Sequence, residues 1–143
     1  MFSGQYRVAI DDKGRIAIPT RFRTDFETGA HIGKWLDPCL ALHTRAAWEE
    51  IENRVDPLPI TDRAARELQR YLHSWTFPVE VDRQGRLVVP GTLRESAELA
   101  GPEVLIIGSG ARLELWSIDR WTAWSKRMDE PGFLEEQFRG LGI

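Results

Sequence analysis

A thirteen-residue motif occurs twice in this chain and limits the folds open to it. Residues 11–23 and residues 82–94 both read Asp-x-x-Gly-Arg-apolar-x-apolar-Pro-x-x-x-Arg. A later segment also repeats, because residues 39–44, which precede Trp48, align with residues 112–117, which precede Trp121. A copy of roughly 45 residues is near the lower limit of independent stability. We therefore expect the two copies to share one hydrophobic core.

Each copy of the motif has a clear local interpretation. Asp at the first position and Gly at the fourth are typical of a type I turn in which the glycine takes a positive φ, so each copy predicts a two-strand ribbon. The alternation of apolar residues places Arg15 and Arg86 on the face away from the core. Pro19 and Pro90 then end the strand and suit the first turn of a short helix. The predicted unit is a hairpin followed by a short helix.

The whole chain reads as an α+β protein with four regions. Residues 5–48 form the first repeat, 49–76 a helical connection, 77–121 the second repeat, and 122–143 the end of the last helix and a tail. Thr44, Thr61 or Asp62, and Ser117 are suited to cap the three longer helices. We predict no fixed structure for the acidic tail after Pro131.

The charge of the chain is unevenly distributed. Its formal net charge is −3, yet residues 7–23 hold five basic and two acidic side chains, and residues 82–94 hold three basic and one acidic. The remaining segments are acidic. Because the Debye length at physiological salt is about 8 Å, a partner responds to the local patch rather than to the sum. The two motifs are therefore candidate contacts for an anionic partner.

Composition excludes several classes of protein. The longest apolar runs have four residues, such as residues 104–107, whereas a membrane helix needs about 20. The N-terminus has no apolar leader, and the single cysteine, Cys39, cannot form an internal disulfide. We expect a cytoplasmic protein with no membrane segment.

The paired motifs, the connection between them and the tryptophan-bearing helix that closes each copy closely resemble the MraZ family of bacterial transcriptional regulators, in the AbrB-like (SpoVT-AbrB) superfamily. The resemblance covers about residues 1–125. It implies two AbrB-like hairpin-helix repeats that form one swapped-hairpin β-barrel with flanking helices. It further implies a homo-oligomeric ring that binds repeated double-stranded DNA sites upstream of the division and cell-wall gene cluster, in association with the nucleoid.

The family's DNA contacts centre on the turn and the arginine that follows it. Carried onto this sequence, the resemblance implies these DNA-binding residues: Asp12, Lys13, Gly14 and Arg15 in the first copy, with Arg83, Gln84, Gly85 and Arg86 in the second. The copies differ at the turn, because Gln84 replaces Lys13 and Arg83 supplies a cation where the first copy has Asp12. The two turns are therefore expected to contribute differently.

Other residues favour structural roles. Arg23 and Arg94 lie one helical turn after the proline, and we expect them to form ion pairs with the motif aspartates. Cys39 and His43 would lie about 13 Å apart on a strand, too far to share one tetrahedral metal ion. We predict no metal, no cofactor and no small-molecule substrate.

Two further functional classes share features with this sequence. Two copies that each bring one aspartate towards a pseudo-twofold axis resemble the dyad of an aspartic protease, but the neighbouring arginines disfavour that chemistry, so no enzyme is predicted. An AbrB-like antitoxin or transition-state regulator is the alternative. Such chains normally carry one motif, whereas the tail of this chain, residues 131–143, keeps the alternative open.

Overall fold

The computed structural model describes residues 1–142 and is a mixed α+β structure, which confirms the predicted class. The elements are β1 Gln5–Ala9, β2 Arg15–Ala17, a 3-10 helix Thr20–Phe26, β3 Ala30–Lys34, β4 Leu40–Thr44, α1 Arg45–Val55, α2 Arg63–Ser74, β5 Thr76–Val79, β6 Arg86–Val88, α3 Gly91–Ala97, β7 Glu103–Gly108, β8 Leu113–Trp116, α4 Ile118–Met128, α5 Phe133–Phe138 and a 3-10 turn Arg139–Leu141. Both copies have the same order, two strands, a short helix, two strands and a longer helix. Helix α2 lies between them and has no counterpart.

The main sheet mixes strands of the two copies. It has six antiparallel strands in the order β1-β7-β8-β4-β3-β5. The first strand of each copy pairs with the third strand of the other, since Gln5 lies opposite Ile107 and Ala30 lies opposite Val79. Exchanging the two copies leaves this strand order unchanged, so the sheet has the pseudo-symmetry that the repeated sequence predicts.

A separate two-stranded ribbon joins the motifs to each other. Strands β2 and β6 are antiparallel, with Ile16 opposite Leu87. Two backbone hydrogen bonds extend the ribbon, from Ile18 N–H to the Gly85 carbonyl and from Val89 N–H to the Gly14 carbonyl, both 2.8 Å. The expectation that each copy forms its own two-strand ribbon is therefore wrong. The turn reverses the chain within one copy, but the strand after it pairs with the equivalent strand of the other copy.

The two copies share one hydrophobic core, as their length predicts. The ribbon contributes the buried side chains of Ile16, Ile18, Leu87 and Val89, and the main sheet contributes others that are fully buried. These sheet residues are Ile32, Leu40, Leu42, Val104, Ile106, Leu113 and Leu115. Because burying one such side chain stabilises a fold by about 1.5–3 kcal/mol, this contact fixes the ribbon against the sheet.

Helices cover the rest of the sheet. Trp48 and Val55 of α1 pack with Leu72 of α2. On α4, Trp121 and Trp124 pack against buried Trp116 of β8. The N-caps predicted from sequence are confirmed, because the side chains of Thr44, Asp62 and Ser117 each accept a hydrogen bond from a backbone N–H of the helix that follows. Among residues 1–142, no helix combines the length and the apolar character that crossing a membrane requires.

Each arginine at the end of a motif contacts the turn of the other copy. Arg23 Nε donates to the Ile18 carbonyl at 3.0 Å, and its side chain lies directly over Gly85. Arg94 Nη1 donates to the Asp12 carbonyl at 3.3 Å and lies over Gly14. The predicted ion pairs with the motif aspartates are wrong for both arginines. Their long side chains are held along the neighbouring turn, where the absence of a Cβ leaves room for them.

Gly85→Ala should destabilise the protein in a way that depends on Arg23. Gly85 has φ +77°, and a Cβ there would clash with Arg23 Nε. A residue with a side chain at such a φ costs about 1–3 kcal/mol, and the steric clash adds to that loss of unfolding free energy. Denaturant unfolding at fixed protein concentration measures the total loss of unfolding free energy.

The double variant Gly85→Ala/Arg23→Ala separates the backbone strain from the steric clash. The alanine should cost less once Arg23 is shortened, because only backbone strain remains. Gly29→Ala is the matched control, since Gly29 also has a positive φ, but apart from its chain neighbours no residue among 1–142 has an atom within 4 Å of a Cβ there. An equal cost of Gly85→Ala in both backgrounds would refute this account of the contact.

Candidate nucleic-acid interface

The ribbon has one buried face and one exposed face. Successive residues of a strand point to opposite sides, so Ile16 and Leu87, each 2% exposed, face the core. The opposite side is formed by the two cross-strand pairs that flank them. We call this side the outer ribbon face, and its residues are Arg15, Ala17, Arg86 and Val88.

The turns hold the start of each ribbon strand in place. In the first turn, Asp11 Oδ1 accepts hydrogen bonds from the backbone N–H groups of Lys13 at 3.0 Å and Arg15 at 2.8 Å. In the second, Asp82 Oδ1 accepts from Gln84 at 2.8 Å and Arg86 at 2.9 Å. The same Asp-to-backbone pattern therefore builds both turns.

The other predicted site residues lie at the tips of these turns. The side chains of Asp12, Lys13, Arg83 and Gln84 are exposed. Gly14 and Gly85 are buried, with φ of +83° and +77°. The structure thus places six of the eight predicted residues at the surface, and the two glycines beneath the arginines of the opposite copy.

Each ribbon arginine is anchored by the aspartate of its own turn. Arg15 Nε donates to Asp11 Oδ2 at 2.6 Å, and Arg86 Nε donates to Asp82 Oδ2 at 3.2 Å. Within residues 1–142, neither guanidinium uses its two terminal nitrogens in a hydrogen bond. These nitrogens form a planar fork of donors, the geometry that matches a phosphate or the edge of a guanine. The carboxylates therefore orient the arginines and leave their terminal donors available.

The same contacts keep the motif aspartates ionised. The hydrogen bonds from the backbone N–H and the side chain of Arg15 lower the pKa of Asp11 to about 2. The hydrogen bond from the backbone N–H of Arg86 likewise lowers the pKa of Asp82. Two carboxylates that share one proton would instead have one pKa raised. Each aspartate is thus paired within its own motif, which is not the electrostatics of a protease dyad.

The residues considered for metal binding lie in other parts of the structure. Cys39 is buried beside Trp116, and His43 is buried between Trp35 and Trp48, where desolvation lowers the pKa of the imidazole to about 4. A surface group formed by Glu52, Asp56 and His73 has its ligand atoms within 4.8 Å of one another. In that group His73 Nε2 already contacts Asp56 Oδ1 at 2.7 Å, a contact that joins α2 to the end of α1.

The predicted site residues did not include two members of the outer ribbon face, Ala17 and Val88. Alternation along the strand places Ala17 on the same side as Arg15, and it places Val88 on the same side as Arg86. Neither was named as a contact, because both are apolar and the motif pattern points to charge.

The pKa of Asp11 offers a direct test of the anchored arginine. It lies below the 3.8 expected for a free aspartate, so its contribution to stability is present above about pH 3.8 and is lost as the pH falls towards 2. A carbon-detected NMR titration of the wild type should give about 2. Arg15→Ala should raise this pKa only in part, because the backbone N–H of residue 15 still donates to Asp11.

Asp82 provides the internal control for that titration, since its pKa should not change in Arg15→Ala. An Asp11 pKa near 3.8 in the wild type would contradict the ion pair. A complete return to that value in Arg15→Ala would contradict the role given to the backbone hydrogen bond.

Comparison with known proteins assigns the family. The family model described as "MraZ protein, putative antitoxin-like" matches residues 1–71 and 73–142. A protein of Roseiflexus castenholzii named "Transcriptional regulator MraZ" is 44% identical over 96% of this chain and 95% of its own length. A protein with the same name from Heliobacterium modesticaldum is 42% identical over 89% of this chain and 88% of its own length. Another, from Clostridium acetobutylicum, is 34% identical over the full length of both chains. Taken with the two motifs and their equivalent turns, these matches establish that the chain belongs to the MraZ family, whose members in these bacteria are named transcriptional regulators.

Proposed function

We propose that this protein is a sequence-specific DNA-binding regulator that contacts double-stranded DNA through the outer ribbon face and the two turns. The observation that carries the proposal is the pair of arginines on that face. Arg15 and Arg86 project from neighbouring strands on the same solvent-facing side. Each has its Nε held by a carboxylate, and its terminal nitrogens make no hydrogen bond to residues 1–142. Two fixed forks of donors suit a surface that presents base edges and phosphates in a regular array.

A two-stranded ribbon has the dimensions for the major groove. That groove admits an α-helix or a two-stranded β-ribbon, and it displays the O6 and N7 acceptors of guanine, which arginine binds in a bidentate manner. The turn tips, with Lys13 and Arg83 exposed, would then lie near the phosphate backbones. In this arrangement Arg15 and Arg86 read base edges, and the tip residues Asp12, Lys13, Gly14, Arg83, Gln84 and Gly85 set the position of the ribbon on the duplex.

The two ends of the ribbon are not chemically equal. The first tip carries Asp12 and Lys13, whereas the second carries Arg83 and Gln84. The first tip is therefore neutral overall and the second is positive. We propose that the second tip contributes more to phosphate attraction, and that Lys13 and Gln84 distinguish the two halves of the bound site.

The regulator would act as a ring of identical subunits. The exchange of β2 and β6 between the copies supports the swapped-hairpin barrel that the resemblance implies. Incompletely buried apolar side chains support association, among them Trp121 and Trp124 on α4 with Leu134 and Phe138 on α5. One ribbon makes few contacts, but neighbouring ribbons of a ring would engage repeated sites, such as those upstream of a division and cell-wall gene cluster, with a high effective concentration. Cytoplasmic and nucleoid-associated localisation follows from this activity.

Arg15→Ala and Arg86→Ala should weaken DNA binding while the fold is retained, because both side chains are exposed. An arginine that reads base edges should, when replaced, relax the preference among the selected duplexes. An arginine that instead neutralises a phosphate should, when replaced, lower the slope of log affinity against log salt by about 0.9 for each ribbon engaged. Fluorescence anisotropy with duplexes selected from a randomised library, repeated at several salt concentrations, measures affinity and slope together.

Arg63→Ala is the matched control for those variants, since Arg63 is an exposed arginine on α2 paired with Glu67 and lies outside the ribbon. It should leave affinity and slope unchanged. Normal affinity in the double variant Arg15→Ala/Arg86→Ala would rule out the outer ribbon face as the DNA surface.

The oligomer makes a separate prediction. Light scattering at micromolar concentration should give several times the 16.4 kDa mass of one chain, and Arg15→Ala should have the same mass as the wild type. A duplex with two correctly spaced sites should bind much more tightly than one with a single site. A monomeric mass, with equal affinity for the two duplexes, would contradict the ring.

A further inference from the structure

Val88 occupies a position on the outer ribbon face that the fold does not explain. Its neighbours in the chain, Leu87 and Val89, are buried in the main core, whereas Val88 is 51% exposed and belongs to no apolar cluster in residues 1–142. In the ribbon register it lies directly opposite Arg15, and Arg86 is two residues away on the same face. A large apolar side chain is therefore exposed to water on the face that carries both arginines.

We infer that Val88 contacts the C5-methyl group of a thymine and is a specificity-determining residue of the DNA site. The inference rests on the proposed function, because it takes the outer ribbon face to lie in the major groove. There, the thymine methyl is the apolar group that a base pair presents, and apolar side chains recognise it by contact. Arg15 and Arg86 read polar base edges or phosphates, and Val88, which lies opposite Arg15 and two residues after Arg86, contacts the methyl group beside them.

The first copy does not repeat this feature. The residue equivalent to Val88 is Ala17, which lies opposite Arg86 and is partly buried. A single Cβ reaches less far from the strand than the two methyl groups of valine. One end of the ribbon therefore presents an arginine beside a valine, and the other an arginine beside an alanine. The site read by one subunit is accordingly not palindromic, and its thymine lies on the side of Val88.

Deoxyuridine provides the test, because it differs from thymidine by the C5-methyl group alone. Duplexes are first selected from a randomised library with the wild-type protein, and a duplex with one site is then made with each thymidine replaced in turn by deoxyuridine. Burying a methyl group contributes about 0.8 kcal/mol, so the wild type should lose about fourfold in affinity at one thymidine of the site. Val88→Ala should bind the thymidine and deoxyuridine forms of that duplex equally.

Two controls separate base reading from a structural role of Val88. Leu36→Ala removes another exposed apolar side chain, 70% exposed and outside the ribbon, and should keep the fourfold discrimination of the wild type. Val88→Ala should also keep the salt slope of the wild type, because no charged contact is removed. A loss of ribbon structure would lower that slope along with the affinity.

The failures of the two proposals are distinguishable. If the wild type selects a duplex but binds every deoxyuridine form as tightly as the parent, the inference about Val88 is wrong and DNA binding stands. Discrimination that persists in Val88→Ala likewise overturns the assignment to this residue. If no duplex is selected, the proposed function fails and the inference fails with it.

Discussion

The structure depends on the exchange of one short strand between two similar halves. Strand β2 has three residues and strand β6 has three, so neither could persist alone in water. Their pairing, extended by the hydrogen bonds of Ile18 and Val89 to the glycine carbonyls of the opposite turns, makes each half complete the other. The buried face of the ribbon then packs into the core, and the arginine that ends each motif lies over the other half's turn. Backbone hydrogen bonds, apolar burial and glycine geometry all enforce the same exchange.

This exchange also prepares the surface. Because Ile16 and Leu87 must face the core, the residues beside them in the strands must face solvent, and Arg15 and Arg86 are thereby brought to one side of one ribbon. The turn aspartates then fix the direction of both guanidinium groups. The carboxylates of these aspartates lie beside a surface that is proposed to bind an anion. Their negative charge is balanced by the arginines that they orient. The arrangement of charge that both turns share is thus compatible with attraction of DNA by the terminal nitrogens.

Much of this could be predicted from the sequence, and the exceptions have physical causes. Most helices, their caps and most strands followed from local rules, since Thr44, Asp62 and Ser117 act on backbone groups a few residues away. The tail after Pro131 is an exception, because no fixed structure was predicted there and it forms helix α5 and a 3-10 turn. The exposure of Arg15 and Arg86 followed from alternation. The pairing of β2 with β6 did not, because a turn signal such as Asp-x-x-Gly specifies a reversal of direction but not the partner of the next strand. Arg23 and Arg94 were misassigned for the same reason, since their contacts cross from one copy to the other. Val88 was not named as a contact because it is apolar, although alternation about Leu87 places it on the exposed side with Arg86.

The order of strands in the main sheet has a consequence for synthesis of the chain on the ribosome. Strand β1 begins at Gln5, but the residue opposite it, Ile107, is made roughly 100 residues later. At translation rates of about 5–20 residues per second, the N-terminal strand waits about 5–20 s before its partner exists. Strand β2 waits in the same way for β6. During that interval the strands of the nascent first half have unpaired hydrogen-bonding groups and exposed apolar faces. Another nascent chain on the same messenger RNA, further advanced in synthesis, carries an equivalent copy of the missing second half. Pairing of the two halves within one chain therefore competes with pairing between two nascent chains. The short connection through α1 and α2 favours pairing within one chain, because it keeps the two halves close as soon as both have emerged.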